Sequence, residues 1–427
     1  MASILFPNVR IIDGTGAAPY AGEVLIQGNR ISRISRGGRA APIAGVTVID
    51  AAGATLMPGM VEAHTHFAWN NAATLDGIQI MPLEEHTLWT AGVAKTYLDH
   101  GWTSCVGAAT AKPRLDVVVR NAINEGLIPG PRYMAASQEI TVAGSLGDDM
   151  LPHLPYPEFS FGQVVSGPEE MRKVVRMFLK YGVDSIKLNL SGESITGMGA
   201  EETPMSEEEV AMAASEARCR NKVLSAHARS SGSVKQCIRH GIQNIYHASF
   251  ADEEALDMLE AVKDKHFVAP GIAWLINTAR HAEQWGIKPG SPLSLEYERE
   301  LEMCIETMKK MHRRGIRICI GGDYGFARTP QGENARDIAH FVRYLGYSPS
   351  EALVCATRFG AELMGLGDAA GQLREGYLAD LLLVDGDPEA DVELLQHRER
   401  LVAILKGGAV HKLDRAALLR REQRAAE

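Results

Sequence analysis

The strongest constraint on the fold is a repeated alternation of short apolar strands with longer helical patterns between residues 58 and 365. A strand followed by a helix and then by another strand of the same kind predicts a parallel sheet closed by crossover helices. Eight such strands can be counted, which matches a (β/α)8 TIM barrel. The predicted barrel strands are Gly59–His66, Thr103–Gly107, Arg132–Ser137, Asp184–Leu190, Lys222–Ala228, Asn244–Ala248, Phe267–Ile272 and Arg317–Asp323.

Both ends of the chain have a different pattern, in which short strands are separated by glycine-containing turns. The predicted strands are Ser3–Ile12, Gly22–Gln27, Arg30–Ser35 and Thr47–Asp50 at the amino end and Leu381–Val384 and Val402–Lys406 at the other. We therefore expect an α/β protein with two domains. The barrel would occupy residues 58–365, and a small β-sandwich domain would be built from both chain ends, residues 1–57 and 366–427. The charged tail Leu413–Glu427 predicts a solvated helix.

Charge and composition exclude several classes of partner. The net charge of −9 offers no broad attraction for the phosphate backbone of nucleic acids or for anionic membranes. No apolar run approaches the roughly 18 residues of a membrane span, and no basic region followed by an apolar core opens the chain. The six cysteines form no CxxC pair, which is typical of reduced thiols. We expect a soluble, cytoplasmic protein that binds neither nucleic acid nor membrane.

The first predicted barrel strand ends in two histidines, His64 and His66. Side chains two residues apart on a strand project from the same face, so the two imidazoles can form half of a metal site. An HxH pair also occurs by chance, and the interpretation therefore depends on the other strands.

The fourth strand, DSIKLNL, alternates between an apolar face and a polar face that contains Lys187. Because the apolar face of a barrel strand meets the surrounding helices, Lys187 should point into the lumen. An isolated ammonium group there would be desolvated and would tend to lose its proton. A neutral lysine can react with carbon dioxide to give a carbamate, which can bridge two divalent cations. The alternative is a lysine that pairs with Asp323 or with a neighbouring glutamate.

Three more strands end in residues that can bind a metal ion. His227 lies at the tip of the fifth strand, His247 at the tip of the sixth, and Asp323 follows two glycines at the end of the eighth. A single histidine on an apolar strand is commonly a hydrogen-bonded core residue. Five of eight strands that end in a possible ligand are harder to explain in that way, and they predict a site for Zn2+, Co2+ or Mn2+.

These motifs together resemble the metal-dependent amidohydrolase superfamily. The resemblance rests on HTH after PGMVEA, the lysine of SIKLNLSGE, the histidines of SAHAR and NIYHAS, IGGD, and the closing GQLREGYLADLLLVDGDP, so it covers almost the whole chain. SIKLNLSGE and the later NARD are most similar to molinate hydrolase and phenylurea hydrolases, with ochratoxinase and Xaa-Pro dipeptidase relatives more distant. After the third strand, Ser145 and Leu146 stand where dipeptidase-like relatives carry a Gly-His pair, which puts a peptidase-type substrate in doubt.

The resemblance implies two divalent metal ions, Zn2+ first and Co2+ or Mn2+ as alternatives, and carbon dioxide for the carbamate. It implies hydrolysis of a C–N bond in an amide, carbamate or urea by a metal-activated hydroxide, with Asp323 as the catalytic proton shuttle. The implied ligands are His64, His66 and Asp323 for one ion, His227 and His247 for the second, and carbamylated Lys187 as the bridge.

Other reactions stay open at this point. The first alternative is a dipeptidase or N-acyl amino acid hydrolase. A deaminase is the second, although purine and pyrimidine aminohydrolases typically place a glutamate where this chain has Ser230. The third is a relative that keeps the barrel but serves as a non-catalytic scaffold.

Substrate identity depends on loops. Trp69, Trp274 and Tyr324 follow barrel strands and could line a pocket for an aryl or alkyl group, or could simply pack within the loops. Arg229 and Arg328 could bind a carboxylate, or could be solvated surface residues. We expect neutral small-molecule amides, carbamates or ureas as substrates, with an arginine-anchored carboxylate as the alternative. A homo-oligomer is also expected.

Overall fold

The structure, a computed structural model, describes residues 3–37, 45–151, 153 and 160–426. The β-strands in these ranges are β1 (Ser3–Ile11), β2 (Tyr20–Gln27), β3 (Arg30–Arg36), β4 (Thr47–Val48), β5 (Thr55–Pro58), β6 (Met60–Thr65), β7 (Trp102–Gly107), β8 (Arg132–Met134), β9 (Ala136–Thr141), β10 (Gly162–Val164), β11 (Ser185–Asn189), β12 (Val223–Ala228), β13 (Asn244–His247), β14 (Phe267–Ala269), β15 (Leu381–Val384), β16 (Leu401–Lys406) and β17 (Ala409–Leu413).

The α-helices in the same ranges are α1 (Leu75–Gln79), α2 (Leu83–Asp99), α3 (Leu115–Asn124), α4 (Pro168–Tyr181), α5 (Glu207–Arg218), α6 (Ser231–His240), α7 (Glu253–Ala261), α8 (Ile272–Arg280), α9 (Pro292–Arg313), α10 (Arg336–Leu345), α11 (Pro349–Cys355), α12 (Arg358–Leu363) and α13 (Arg415–Ala426). Helix α13 falls where the charged tail predicted a helix. None of these helices is both long enough and apolar enough to cross a lipid bilayer.

The barrel wall consists of parallel strands that follow one another in chain order. Strands β6, β7 and β8 form one sheet, and β9, β11, β12, β13 and β14 form the next. Strands β8 and β9 are two halves of the third barrel strand, separated by Ala135. Pairing is in parallel register throughout, with Lys187 opposite Ser225 and Ala226 opposite Ile245. Seven of the eight predicted barrel strands are therefore present as regular strands.

The eighth position is taken by residues 317–323, which do not form a continuous strand. They contact β14 through a single parallel bridge between Ile318 and Val268. They contact β6 through the Ala63 amide, which donates a hydrogen bond to the Ile320 carbonyl at 2.9 Å. The barrel thus closes between its first and eighth positions, and the TIM barrel fold is confirmed.

The eighth segment is irregular because its last residues approach the site too closely for regular pairing. A β-carbon on Gly321 would lie 2.8 Å from the β-carbon of His64, so only glycine fits there. Asp323 has a φ of 63°, in the left-handed region that breaks an extended strand. The irregularity therefore places the Asp323 carboxylate beside the strand-one histidines.

One short strand, β10, was not predicted. It pairs in parallel with the end of β9, with Gly162 opposite Glu139. The predicted third strand stopped at Ser137, whereas β9 continues to Thr141 and offers a free edge to β10. Three residues are too few to show a periodic pattern, which explains why the sequence did not indicate β10.

Strands from both ends of the chain form one eight-stranded sheet with the order β17-β16-β15-β5-β1-β2-β3, and β4 pairs with β1. Apolar side chains from both halves of this sheet share one core, in which Phe6 and Ile26 lie with Leu383 and Leu405. This arrangement agrees with a small domain built from both ends. The exact limits at residues 57/58 and 365/366 remain a prediction.

Two local features position the site. Helix α9 begins at an N-cap, Ser291, whose hydroxyl accepts a hydrogen bond from the Ser294 amide at 3.3 Å, and it carries the buried residues Tyr297 and Glu300 toward the barrel. Strand β5 of the end sheet runs into β6 of the barrel through Gly59 alone. The strand that carries His64 is therefore a direct continuation of the end sheet.

Candidate metal centre and active site

The six side chains predicted to bind metal ions line one inner cavity at the carboxyl ends of the barrel strands. Each is buried, with at most 7% of its surface exposed. They are His64 (β6), His66 (directly after β6), Lys187 (β11), His227 (β12), His247 (β13) and Asp323 (after the eighth segment). The sequence analysis had predicted this convergence, because these residues lie on or at the ends of predicted barrel strands.

Three of these residues form the tightest group. One ligand atom each from His64, His247 and Asp323 lies within 4.8 Å of the other two. His66 adjoins the group, since its Nε2 lies 3.2 Å from Asp323 Oδ1, and the corresponding His64 distance is 3.5 Å. The grouping mixes the two ligand sets implied by the family resemblance, because His247 lies with His64 and Asp323.

His227 and Lys187 lie beside this group. The His227 ring centroid is 4.5 Å from that of His247, and its Nε2 is 3.1 Å from the Gly192 carbonyl oxygen. The Lys187 ammonium nitrogen is 3.7 Å from Glu139 Oε1. The structure therefore contains the lysine–glutamate pair that was the alternative to a carbamate.

Glu139 is a site residue that the sequence analysis missed. It lines the inner cavity, and its second oxygen accepts a hydrogen bond from Asn189 Nδ2 at 2.9 Å. Asn189 also donates to the Leu146 carbonyl at 2.8 Å, which ties the loop after the third strand to the fourth. The predicted third strand ended before Glu139, so its inward direction could not be inferred.

Burial sets the protonation of the histidines. It lowers the pKa of His66 and, more strongly, the pKa values of three others: His64, His227 and His247. A neutral imidazole keeps a lone pair for a metal ion, so these rings are in the form that binds one.

Burial acts in opposite directions on the two other ligands. Burial alone would raise the pKa of Asp323, but its contacts with His64 and His66 outweigh it and hold that pKa below its usual range. Burial lowers the pKa of Lys187, and the nearby carboxylates of Glu139 and Asp323 oppose this effect. Asp323 is therefore anionic across the physiological pH range.

The donor atoms of this site fit divalent cations. Four buried atoms have no hydrogen-bond partner within the described part of the protein: His64 Nδ1, His66 Nε2, His247 Nδ1 and Asp323 Oδ1. Leaving such an atom unpaired costs about 1–3 kcal/mol. Imidazole nitrogens and carboxylate oxygens are the ligands that Zn2+, Co2+ and Mn2+ use in proteins.

The backbone at the strand ends is held in an uncommon conformation. His247, Ala248 and Asp323 have φ values of 76°, 54° and 63°, which non-glycine residues rarely adopt. Such strain concentrates at functional sites, where the surrounding structure holds it in place. Here it directs one imidazole and one carboxylate toward the same point.

The predicted aromatic residues divide into two groups. The Trp69 ring stacks on the His66 ring with a centroid distance of 3.3 Å, and both Trp69 and Trp274 line the inner cavity. Tyr324 is fully buried and lines neither this cavity nor the outer one described below. The structure thus argues against the predicted substrate contact of Tyr324, because its side chain turns away from the lumen and packs on Gly322.

Arg229 does not face the substrate cavity. Its guanidinium is completely buried, lies 2.5 Å from Glu193 Oε2, and also donates to Glu300. Glu300 accepts a second hydrogen bond from Ser249 at 2.7 Å, and Glu193 accepts one from Tyr297. This placement argues against the predicted role of Arg229 in substrate binding, since both of its terminal nitrogens already have carboxylate partners.

Arg328 lies in an outer cavity of about 370 Å³ that adjoins the inner one. Four apolar residues line both cavities: Leu75, Ile195, Trp274 and Phe326. The outer cavity is further lined by polar and aromatic side chains, among them Asp76, Asp149, Trp285 and Arg328. A path with apolar walls therefore leads from Arg328 to the ligand group.

Several cavity residues besides Glu139 had no individual signal in the sequence. They come from segments that follow the barrel strands and whose positions depend on the finished fold: Leu75, Phe161, Glu193 and Ile195. Glu193 belongs to the SIKLNLSGE phrase, so the resemblance pointed to its segment but gave it no role.

Residues 55–411 match the amidohydrolase family, a range that includes every residue of the ligand group. The chain belongs to the amidohydrolase family. The family includes hydrolases that act on amide and urea bonds. The resemblance inferred from the motifs is confirmed.

Individual relatives extend over most of the chain. Ochratoxinase from Aspergillus niger is 26% identical over 381 residues, which covers 84% of this chain and 75% of that protein, and its structure matches with a TM-score of 0.83. A Xaa-Pro dipeptidase structure is 24% identical with a TM-score of 0.84, covering 96% of this chain and all of that chain.

A molinate hydrolase structure is 19% identical with a TM-score of 0.76, covering 96% of this amidohydrolase and 94% of that chain. The dipeptidase and ochratoxinase structures thus superpose with higher scores than molinate hydrolase does. This order is the reverse of the one expected from the SIKLNLSGE and NARD phrases.

Proposed function

We propose that this amidohydrolase is a metal-dependent enzyme that hydrolyses a C–N bond of an amide, carbamate or urea in a small molecule. The observation that carries the proposal is the convergence of four neutral imidazoles and one anionic carboxylate on one buried cavity. Several donor atoms of this assembly are buried without a hydrogen-bond partner among the described residues, which costs stability unless a cation binds them.

The ligand group would hold the cations. His64, His247 and Asp323 offer three atoms to one ion, and His66, His227 and Lys187 surround them. Divalent cations held by these residues would supply a water with a pKa lowered to about 7 and would polarise a substrate carbonyl. A carbamate on Lys187 would add a bridging anion, but it first requires that the lysine leave its pairing with Glu139.

Asp323 is the proton carrier in this proposal. Its carboxylate is held in the anionic form, and it lies in the cavity beside His64 and His66. From there it can accept the proton of the attacking water and deliver it to the departing nitrogen. The aromatic walls formed by Trp69 and Trp274 limit the access of bulk water to the reacting carbonyl.

The experiment that tests the proposal combines metal analysis with a substrate screen. Protein loaded with zinc, cobalt or manganese is assayed against N-acyl amino acids, anilides, phenylureas and thiocarbamates. We expect tight binding of one or two divalent ions per chain and hydrolysis in at least one substrate class. A folded protein with no affinity for divalent cations would instead be a non-catalytic scaffold.

Asp323→Asn provides the matched variant. It should keep the fold and lower kcat by at least about 100-fold, because it removes a charge from the ligand group and also removes the proton carrier. The readouts are kcat on the substrate identified by the screen and the thermal unfolding midpoint. Near wild-type turnover would remove Asp323 from the mechanism.

A further inference from the structure

Arg328 is a buried arginine whose guanidinium is held by one hydrogen bond from Nε and by stacking on an aromatic ring. It is 4% exposed, and its Nε donates a hydrogen bond to Thr278 Oγ1 at 3.0 Å. The guanidinium carbon lies 4.1 Å from the centroid of the Trp274 ring, and the Arg328 carbonyl accepts a hydrogen bond from Asn277 at 2.6 Å. Nε makes the one guanidinium hydrogen bond seen to a described residue, which leaves the two terminal nitrogens available to a ligand in the outer cavity.

No carboxylate of the described residues lies within 4.0 Å of the Arg328 guanidinium. Buried arginines are almost always paired, because removing an unpaired charge from water costs several kcal/mol. Stacking on Trp274 compensates part of this cost but supplies no negative charge. Burial lowers the pKa of Arg328 and outweighs the charges of Glu193 and Asp323, which act on it from a distance. A bound anion would supply the contacting partner that the described residues do not.

The two acids of the outer cavity do not fill this role. The charges that act on Asp149 come from other carboxylates, Glu139, Asp76 and Asp148, and together with burial they raise the pKa of Asp149 to about 7. An acid in contact with a guanidinium would show the opposite shift. Arg328 and Asp149 thus line one cavity without forming a pair.

We propose that Arg328 binds the carboxylate of the substrate, and that the substrate is an amide with a free carboxylate and an apolar body, of the N-acyl amino acid type. The inference rests on the proposed hydrolysis and names the substrate class for it. The apolar body lies along the residues shared by the two cavities, such as Leu75 and Phe326, with the scissile bond toward Asp323. This substrate class replaces the neutral substrates that the sequence had favoured.

A carboxylate suits the site better than a phosphate does. With Nε already bonded to Thr278, the two terminal nitrogens can make a bidentate contact with a planar group. A phosphate dianion would need further cations, whereas the neighbouring charged groups of this cavity are the acids Asp76 and Asp149. The single positive charge of Arg328 is neutralised by the single negative charge of a carboxylate.

The test compares N-benzoyl-L-phenylalanine with its methyl amide, in which an uncharged amide replaces the carboxylate, and follows release of benzoate from both. With the zinc- or cobalt-loaded enzyme, kcat/KM for the acid should exceed that for the amide by about 10- to 100-fold, as expected for one charge-assisted contact. In Arg328→Gln the ratio should fall to within about threefold of unity, and Arg328→Lys should keep part of the preference. The control Arg343→Gln, at an exposed position paired with Glu393, should keep the wild-type ratio.

Calorimetric binding of both compounds to the same proteins separates this inference from the proposed hydrolysis. If neither compound is cleaved, the proposed reaction is wrong for this pair, but tighter binding of the acid to wild type than to Arg328→Gln still supports the anchor. Equal affinity of the acid for both proteins would show that another group, such as the metal ion, holds the carboxylate. That result, or a wild-type ratio near unity, overturns the proposal.

Discussion

The inner and outer cavities differ in whether their buried charged side chains have partners of opposite charge within the protein. In and around the inner cavity, charges occur in pairs: Lys187 lies beside Glu139, and Arg229 lies between Glu193 and Glu300. In the outer cavity, Arg328 has no carboxylate partner among the described residues, and the pKa of Asp149 is raised by burial and by other acids. Lys187 and Arg229 thus have carboxylate partners within the protein, whereas we propose that the partner of Arg328 is a ligand.

The two arginines show what this difference teaches. Both are nearly or fully buried, and both follow a barrel strand by a few residues. Only the identity of their neighbours separates a positioning residue from a binding residue. Arg229 connects the loops after the fourth and fifth strands to α9 through its ion pairs with Glu193 and Glu300. The guanidinium of Arg328 is instead oriented by Trp274 and Thr278, neither of which carries a charge.

The largest expected effect is on stability. Arg229→Gln should lower the free energy of unfolding by about 3–5 kcal/mol, because it leaves two buried carboxylates without their cation. Arg328→Gln should lower it by less than about 1 kcal/mol or raise it, since the guanidinium it removes is buried without an anionic partner among the described residues. Urea unfolding of the metal-loaded proteins measures both values. Equal losses in the two variants would mean that Arg328 is a structural residue too.

A smaller effect concerns pH. The pKa of Asp149 is about 7 in the folded protein and lies near 4 in an unfolded chain, so the folded state binds the extra proton between these values. Stability from this group is therefore present at low pH and is lost as pH rises through 7. Asp149→Asn should raise the free energy of unfolding at pH 8 by about 1–2 kcal/mol, after allowance for partial exposure.

The measurement for Asp149 is the difference in unfolding free energy between variant and wild type at pH 5 and at pH 8. The gain should be largest at pH 8 and about a third as large at pH 5, because at pH 5 Asp149 is protonated in the folded protein but already mostly ionised in the unfolded chain. The same gain at both values would contradict a raised pKa and would point to a change in loop packing.

The smallest effect is expected at the residue that orients Arg328. Thr278→Val keeps the shape of a fully buried side chain but removes the acceptor of the Arg328 Nε hydrogen bond. The acid-to-amide ratio of kcat/KM should fall by about 2- to 10-fold, which corresponds to one hydrogen bond of modest net strength. An unchanged ratio would show that Trp274 alone orients the guanidinium.

Periodicity predicted much of the fold and the ligand group because both depend on local rules. Strand alternation places Lys187 in the lumen and Ile186 and Leu188 in the outer core, as the structure shows. The carboxyl ends of barrel strands surround one central site, which is why His227 and His247 could be inferred together with the ligands on the other strands.

What the sequence could not predict depends on contacts between distant segments. Arg229 meets Glu300, which lies 71 residues later on a helix whose rotation no local pattern reveals. The absence of such a partner at Arg328 is equally invisible before the chain folds. Glu139 was missed because its strand continues past the point where the apolar pattern ends.

The direct passage from β5 to β6 has a consequence for how the protein is made. Strand β5 is paired with β15, in the carboxyl-terminal part of the chain, and Gly59 alone separates it from the strand that bears His64. A chain emerging from the ribosome therefore exposes an incomplete sheet until β15, β16 and β17 have been synthesised. A product that ends before β15 leaves β5 with β1 as a neighbour on one side and an open edge on the other, directly beside the strand that bears His64.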